Sequence, residues 1–267
     1  MSVASKRVSA GELIMGSKEA KNRNRFAVLV CEDAEKWGGL EIMGKRHIEL
    51  FQREQDTEWR TFNACEGDIP SAEDIDKYQG FVIGGSHYSV NDDKEWVKRM
   101  EQLIVSLAKK SPPPRVVGLC FGHQLLAKAL GGSVSRNPSG KFILQTEKVK
   151  PTKSDAVRNS IVSKLFESGP LDLLESHSEC VTELPPDAVT IASSASCDHE
   201  MVLFTDNMLG LQSHPECRAE EFEEKVLPSL MSENLFTEED KVKTQESFKV
   251  PVHSSKVNNI LREFLHD

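Results

Sequence analysis

Apolar residues along this chain fall into short runs separated by helical stripes. Residues 26–31, Phe-Ala-Val-Leu-Val-Cys, form a run of the kind a buried strand requires. Ile48 and Phe51 recur at helical spacing and predict a helix over 44–54. Residues 59–65 alternate as a strand does, and 80–85 read as a further strand ending in two glycines. Over 92–110, Trp96, Met100, Leu103, Ile104 and Leu107 make one stripe, with acids at the start and lysines at the end. A helix dipole favours that polarity. Ser111 and three prolines then stop the helix. Residues 115–120 predict a strand, and 121–132 a helix closed by Gly131 and Gly132. Near the end, 220–232 and 254–267 read as amphipathic helices that cover the sheet.

Strands and helices alternate, which implies an α/β fold with a mainly parallel sheet and helices on both faces. Ligands bind such sheets beyond the carboxyl ends of the strands. Two of those ends are marked by glycine: Gly84-Gly85, and the stretch from Gly118 to Gly122. Residues 26–267 are expected to form one catalytic domain behind a polar, disordered tail at 1–25. That tail lacks the apolar middle of a secretory signal, and Glu12 and Glu19 are out of place in a transit peptide. No apolar stretch approaches the length of a membrane span. The formal net charge of -9 argues against nucleic acid or an anionic membrane as partner. The cysteines at 31, 65, 120, 180, 197 and 217 are irregularly spaced without a Cys-x-x-Cys pair, which points to reduced thiols and the cytosol.

Gly118-Leu119-Cys120-Phe121-Gly122, set between a strand and a helix, is the thiol counterpart of a Gly-x-Ser-x-Gly nucleophile elbow. The small flanking residues let strand and helix approach, and the side chain at the turn is pushed out over the sheet. A sulfur at a helix N-terminus is favoured as thiolate. The Phe121 N–H is free to face a developing oxyanion. A cysteine packed as a small hydrophobe is the plainer reading, but it does not account for both glycines in register. A thiol nucleophile needs a base and an orienter. His123 and His87 are candidates by position. His214 is the stronger one, because Glu216 follows two residues later across Pro215. An extended segment would place both side chains on one side, giving Cys, His and carboxylate the roles of a triad.

Together, Gly84-Gly85, "GLCFGHQLLAKALGG" and "GLQSHPE" resemble the class I glutamine amidotransferase family over roughly residues 26–220. Residues 175–194 resemble a family segment around His-x-Asp, with Glu179 in place of the Asp. The resemblance implies a flavodoxin-like fold and attack by Cys120 on a γ-glutamyl carbonyl to form a thioester. It implies His214 as base and then acid, with Glu216 as orienter. Backbone N–H groups of Phe121 and of Gly85 or Ser86 would form the oxyanion hole, and Gln124 would contact the glutamyl group. His87 stands where the family often has Pro. The motif context is most similar to stand-alone plant-type γ-glutamyl peptidases, which act on γ-glutamyl peptides such as glutathione or its conjugates. No synthase-sized extension and no Walker-type ATP signature is found. A glutaminase subunit working with a synthase partner is one alternative. A redox or stress thiol protein of the same superfamily is another, although Phe121 occupies a place that is usually His in that branch.

No cofactor or metal is expected. Cys197-Asp198-His199 has no further ligands at metal spacing. Arg136, Lys141 and Gln145 read as ordinary exposed residues, but the segment 136–145, with His87 and Tyr88, is the expected wall of a substrate groove. Cys217 reads as a packed cysteine. His177 and Glu179 are candidates to lie near substrate.

Overall fold

The computed structural model describes residues 25–53, 57–153 and 161–267. The tail expected at 1–25 lies outside the described residues except for Arg25, which opens the first strand.

The chain runs β1 (Arg25–Val30), α1 (Gly39–Phe51), β2 (Glu58–Asn63), β3 (Gly80–Ile83), α2 (Glu95–Ala108), β4 (Arg115–Leu119) and α3 (Phe121–Ala129). These follow the alternation in the sequence. Six strands then follow nearly without helix: β5 (Ser133–Arg136), β6 (Ile143–Pro151), β7 (Leu171–His177), β8 (Glu179–Glu183), β9 (Val189–Ser193) and β10 (Met201–Thr205). After β11 (Met208–Leu211) come α4 (Ala219–Lys225), α5 (Leu227–Ser232), α6 (Glu238–Ser247) and α7 (Ser254–His266).

Nine strands form one mixed, mostly parallel sheet in the order β2-β1-β3-β4-β11-β10-β9-β6-β7. From β2 to β11 every pair is parallel. From β11 to β7 every pair is antiparallel, so only β10 and β6 run against the other seven. The β6–β7 ribbon is tied to β9 at just two register pairs, Lys150 with Ser193 and Pro151 with Ala192. β5 and β8 form a separate antiparallel pair.

Helices cover both faces, as such a sheet requires. On one face the predicted α2 stripe (Trp96, Met100, Leu103, Ile104, Leu107) packs with Phe121, Leu125 and Phe81. On the other, Val257, Ile260, Leu261, Phe264 and Leu265 of α7 pack on Phe26, Val82, Val117 and Leu119.

Three elements differ from their sequence patterns. α1 begins at Gly39, not 44, after a left-handed Gly38 (φ 87°), and it buries Met43, His47, Leu50 and Phe51. A histidine inside that stripe hid it. Residues 220–232 cover only the β6–β7 end of the sheet, and not as one helix. They break at Val226 into two short helices whose Phe222, Leu227 and Leu230 pack on Leu144 and Leu174 of the ribbon. Third, α6 carries no apolar stripe and buries only Thr244. Its one sequence signal is the capping box in which the Thr237 side chain accepts from the Asp240 N–H at 3.1 Å.

Candidate active site

Three adjacent parallel strands, β3, β4 and β11, deliver the central groups to one carboxyl edge. β3 ends in Gly84-Gly85, β4 in Cys120, and β11 leads through Gln212 and Ser213 to His214. Their order in the sheet makes these three ends neighbours, although the residues are far apart in sequence.

The elbow is sharp. Cys120 has φ 48° and ψ -103°, a sparsely populated conformation for any residue but glycine. Such a conformation costs about 1–3 kcal/mol and persists only where its surroundings enforce it. Here its N–H donates to the Leu211 carbonyl at 2.8 Å, and its carbonyl accepts from Gln124 N–H at 3.0 Å. The close approach depends on Gly122. A Cβ there would stand 2.3 Å from the Ile83 carbonyl oxygen. The sulfur lies 3.8 Å from the Ser176 carbonyl and accepts from the Gln212 amide at 3.5 Å.

His214 Nδ1–H donates to Glu216 Oε1 at 2.7 Å. The segment is not extended. Cys217 N–H closes a turn onto the His214 carbonyl at 3.3 Å, and that turn brings the two side chains together. The His214 N–H is anchored to Leu174 O of β7 at 2.9 Å, and its ring stands edge-on to Phe222. Burial works against a charged imidazole here, but the charges on Cys120 and Glu216 outweigh it and hold the His214 pKa well above the usual range. Burial also opposes ionisation of Glu216, yet the facing His214 holds its carboxyl below its ordinary value. The three side chains thus form one coupled, buried set.

Gly85 packs against both partners: a Cβ there would lie 3.1 Å from His214 Cε1 and 3.7 Å from Cys120 Cβ. Among the described residues, the N–H groups of Gly85, Ser86 and Phe121 have no acceptor, whereas Gly84 N–H is taken by Leu29 O at 3.2 Å. Ser86 is one step further along the turn, where its hydroxyl accepts from Tyr88 N–H at 3.1 Å.

Gln124 is buried in the same cluster. Its amide donates to Glu179 O at 2.8 Å and to Gln212 Oε1 at 3.0 Å, and its carbonyl oxygen has no partner among the described residues. Gln212 therefore links Gln124 to the Cys120 sulfur. The sequence reading missed it, although it stands two residues before His214.

The other histidines singled out in the sequence, His123, His87 and His177, separate from this set. His123 turns away into the core, where it packs on Phe204 and Gly210 and, among the described residues, neither ring nitrogen has a hydrogen-bond partner. Burial pushes its pKa down to about 3. His87 is held by Glu32 through both its N–H (2.9 Å) and Nδ1 (2.7 Å) at the rim. His177 bonds Glu179 O at 3.1 Å and Ser196 Oγ at 3.2 Å, and burial lowers its pKa to about 4.

A cavity of about 470 Å³ opens over Cys120 and His214. His87, Tyr88, His177 and Glu179 line it, as does Phe142, but Arg136, Lys141 and Gln145 do not. Gln145 instead donates to Glu147 at 2.6 Å. The wall that the sequence placed in 136–145 comes largely from Trp37, Arg46, Val226 and Leu230, which no motif marks. Two groups of ligand-type side chains converge within 4.8 Å: His214, Glu216 and Cys217, and at the rim Glu32, Asp33 and His87. Internal hydrogen bonds already engage members of both. Among the described residues no helix is long and apolar enough to cross a membrane.

The chain is similar in sequence to two Arabidopsis thaliana proteins. Gamma-glutamyl peptidase 4 is 32% identical over 60% of this chain and 62% of the relative. Gamma-glutamyl peptidase 3 is 29% identical over 70% of this chain and 76% of the relative. A glutamine amidotransferase structure from Thermotoga maritima superposes with a TM-score of 0.67 at 20% identity, over 92% of this chain and 99% of the other. The family model for glutamine amidotransferase class-I matches residues 53–233. With the elbow, the sheet order and that match in agreement, the chain belongs to the class I glutamine amidotransferase family.

Proposed function

We propose that this protein is a cysteine hydrolase that cleaves γ-glutamyl amide bonds, with γ-glutamyl peptides such as glutathione or its conjugates as substrates. The observation that carries the reading is Cys120 at a strained elbow, facing a His214 ring that Glu216 holds at 2.7 Å. The named γ-glutamyl peptidases among the relatives supply the substrate class.

In this mechanism the Cys120 sulfur attacks the γ-carbonyl carbon, and the C=O electron pair moves to oxygen. The Gly85 or Ser86 and the Phe121 N–H groups receive that oxyanion. As the pair returns, the C–N bond breaks and the amine nitrogen takes its proton from His214. Water then attacks the thioester and gives a proton to His214. The C–S bond breaks, which releases glutamate and restores the sulfur anion. Glu216 orients the ring and stabilises its charged form throughout. The free carbonyl oxygen of Gln124 suits the glutamyl ammonium.

The test is a substrate comparison with the purified chain: glutamine, glutathione and a glutathione S-conjugate, with the released ammonia or amine measured. The reading expects a higher kcat/KM on the γ-glutamyl peptides than on glutamine. The reverse order, or activity that requires an added synthase, overturns it.

A further inference from the structure

Only two cationic side chains besides histidine, Lys36 and Arg46, line the described cavity wall. Lys36 reaches out to Ser229 Oγ at 3.4 Å. Arg46 lies deeper, with 16% of its side chain exposed. Its Nη1 donates to Cys217 Sγ at 3.3 Å, and its Nη2 pairs with Glu221. Cys217 Sγ in turn lies within 4.8 Å of both a His214 ring nitrogen and a Glu216 carboxylate oxygen. The guanidinium is therefore one side chain removed from the base.

The hydrogen bonds of Arg46 are unequal. Glu221 fixes its orientation, and the Trp37 ring lies below it with the guanidinium carbon 5.8 Å from the centroid. Its other acceptor is a thiol sulfur, which is a weak one, and five N–H donors are available in all. A partly buried guanidinium with donors to spare is suited to a carboxylate.

The reaction geometry says which carboxylate. The leaving nitrogen takes its proton from His214, so the acceptor residue lies on the His214 side of the scissile bond. The glutamyl portion extends toward Gln124. In a γ-glutamyl amino acid, the acceptor carboxylate carbon is two bonds from the leaving nitrogen. Arg46 lines the same cavity as Cys120 and His214 and is the more buried of its two non-histidine cations, which makes it the group available to that carboxylate.

We propose that Arg46 binds the carboxylate of the departing amino acid, which makes γ-glutamyl dipeptides with a free acceptor carboxylate preferred over glutathione, whose acceptor carboxylate is taken up in a peptide bond. The inference rests on the γ-glutamyl hydrolase reading above. Arg46 acts as a specificity residue: its contact exists in ground state and transition state alike, so its loss appears in KM rather than kcat.

The experiment measures kcat and KM of wild type, Arg46→Met and Arg46→Lys on γ-glutamyl-alanine and on its neutral carboxamide, with circular dichroism and melting curves for each variant. Wild type should favour the free acid. Arg46→Met should raise KM for the acid roughly 10- to 100-fold, the range of a hydrogen bond to a charged group. It should change the carboxamide by less than about threefold, and Arg46→Lys should recover part of the loss on the acid alone. An equal loss on both substrates, or no preference of wild type for the acid, overturns the role of Arg46 while leaving the hydrolase reading standing. Failure of wild type to cleave either dipeptide while it cleaves glutathione overturns this inference alone; failure on glutathione as well overturns the hydrolase reading, and this inference with it.

Discussion

The parallel and antiparallel halves of the sheet make different contributions. From β2 to β11 the strands are parallel, and their carboxyl ends carry Gly85, Cys120 and His214 side by side. From β10 to β7 the pairing is antiparallel, and this half supplies walls and anchors: Leu174 O for the His214 N–H, Ser176 O beside the sulfur, and the bed for α4 and α5. On the proposed reading, the reactive groups sit where strand order alone makes residues neighbours, and the selectivity assigned to Arg46 sits on α1, where it meets Glu221 of α4.

If that division holds, changes at the parallel edge should remove activity without unfolding the protein. The largest effect is expected for Cys120→Ala and His214→Ala, each lowering kcat by about 10⁴-fold or more. Melting temperature should stay close to wild type, and relief of the strained φ at 120 requires Cys120→Gly as a further control. Glu216→Gln should retain measurable turnover, because it keeps the shape of the orienter and loses its charge. A Glu216→Gln variant with wild-type kcat would separate Glu216 from the reaction.

Gly122→Ala tests the elbow's close packing. The added Cβ meets backbone at 2.3 Å and cannot be relieved by a side-chain rotation, so a loss of about 1–3 kcal/mol is expected in denaturant titrations. Wild-type stability in this variant would show that the strand and helix have room to part.

The smallest effect concerns the buried titratable groups. His123 and His177 have folded pKa values pushed down to about 3 and about 4, so the unfolded chain binds more protons below the ordinary histidine value of 6.5. Stability they leave intact at neutral pH is lost as pH falls from there toward 4 and 3. Glu200 behaves oppositely. Burial raises it to about 7 from 4.5, so the folded state holds a proton that the unfolded state releases, and stability falls as pH rises between those values. His123→Leu should therefore gain more stability at pH 5 than at pH 8. Equal gains at both would assign the change to packing.

The parallel half was largely legible in the sequence. Buried strands at 26–31, 80–85 and 115–120 are continuous apolar runs, and the elbow announces itself because both of its glycines are required sterically. His214 and Glu216 were legible only through their association with that elbow, and the local geometry that joins them is a turn where an extended segment was expected. The cover was not legible, for physical reasons. β6 and β7 alternate weakly because Glu147, Glu175 and His177 are buried polar residues on their inner side. α6 is helical through its cap, without an apolar face. Arg46 and Trp37 carry no motif: Arg46 falls inside the predicted helix and Trp37 just ahead of α1, and nothing in the pattern shows that both line the cavity.

The central claim is a covalent γ-glutamyl intermediate on Cys120. Wild-type protein mixed with a γ-glutamyl peptide, quenched in acid during turnover and examined by intact and peptide mass spectrometry, tests it directly. The account predicts an adduct of one glutamyl group, confined to the peptide that contains Cys120, labile to hydroxylamine as a thioester is, and absent from Cys120→Ala. Turnover without an adduct under single-turnover sampling, or an adduct carried by Cys217 instead, would contradict it.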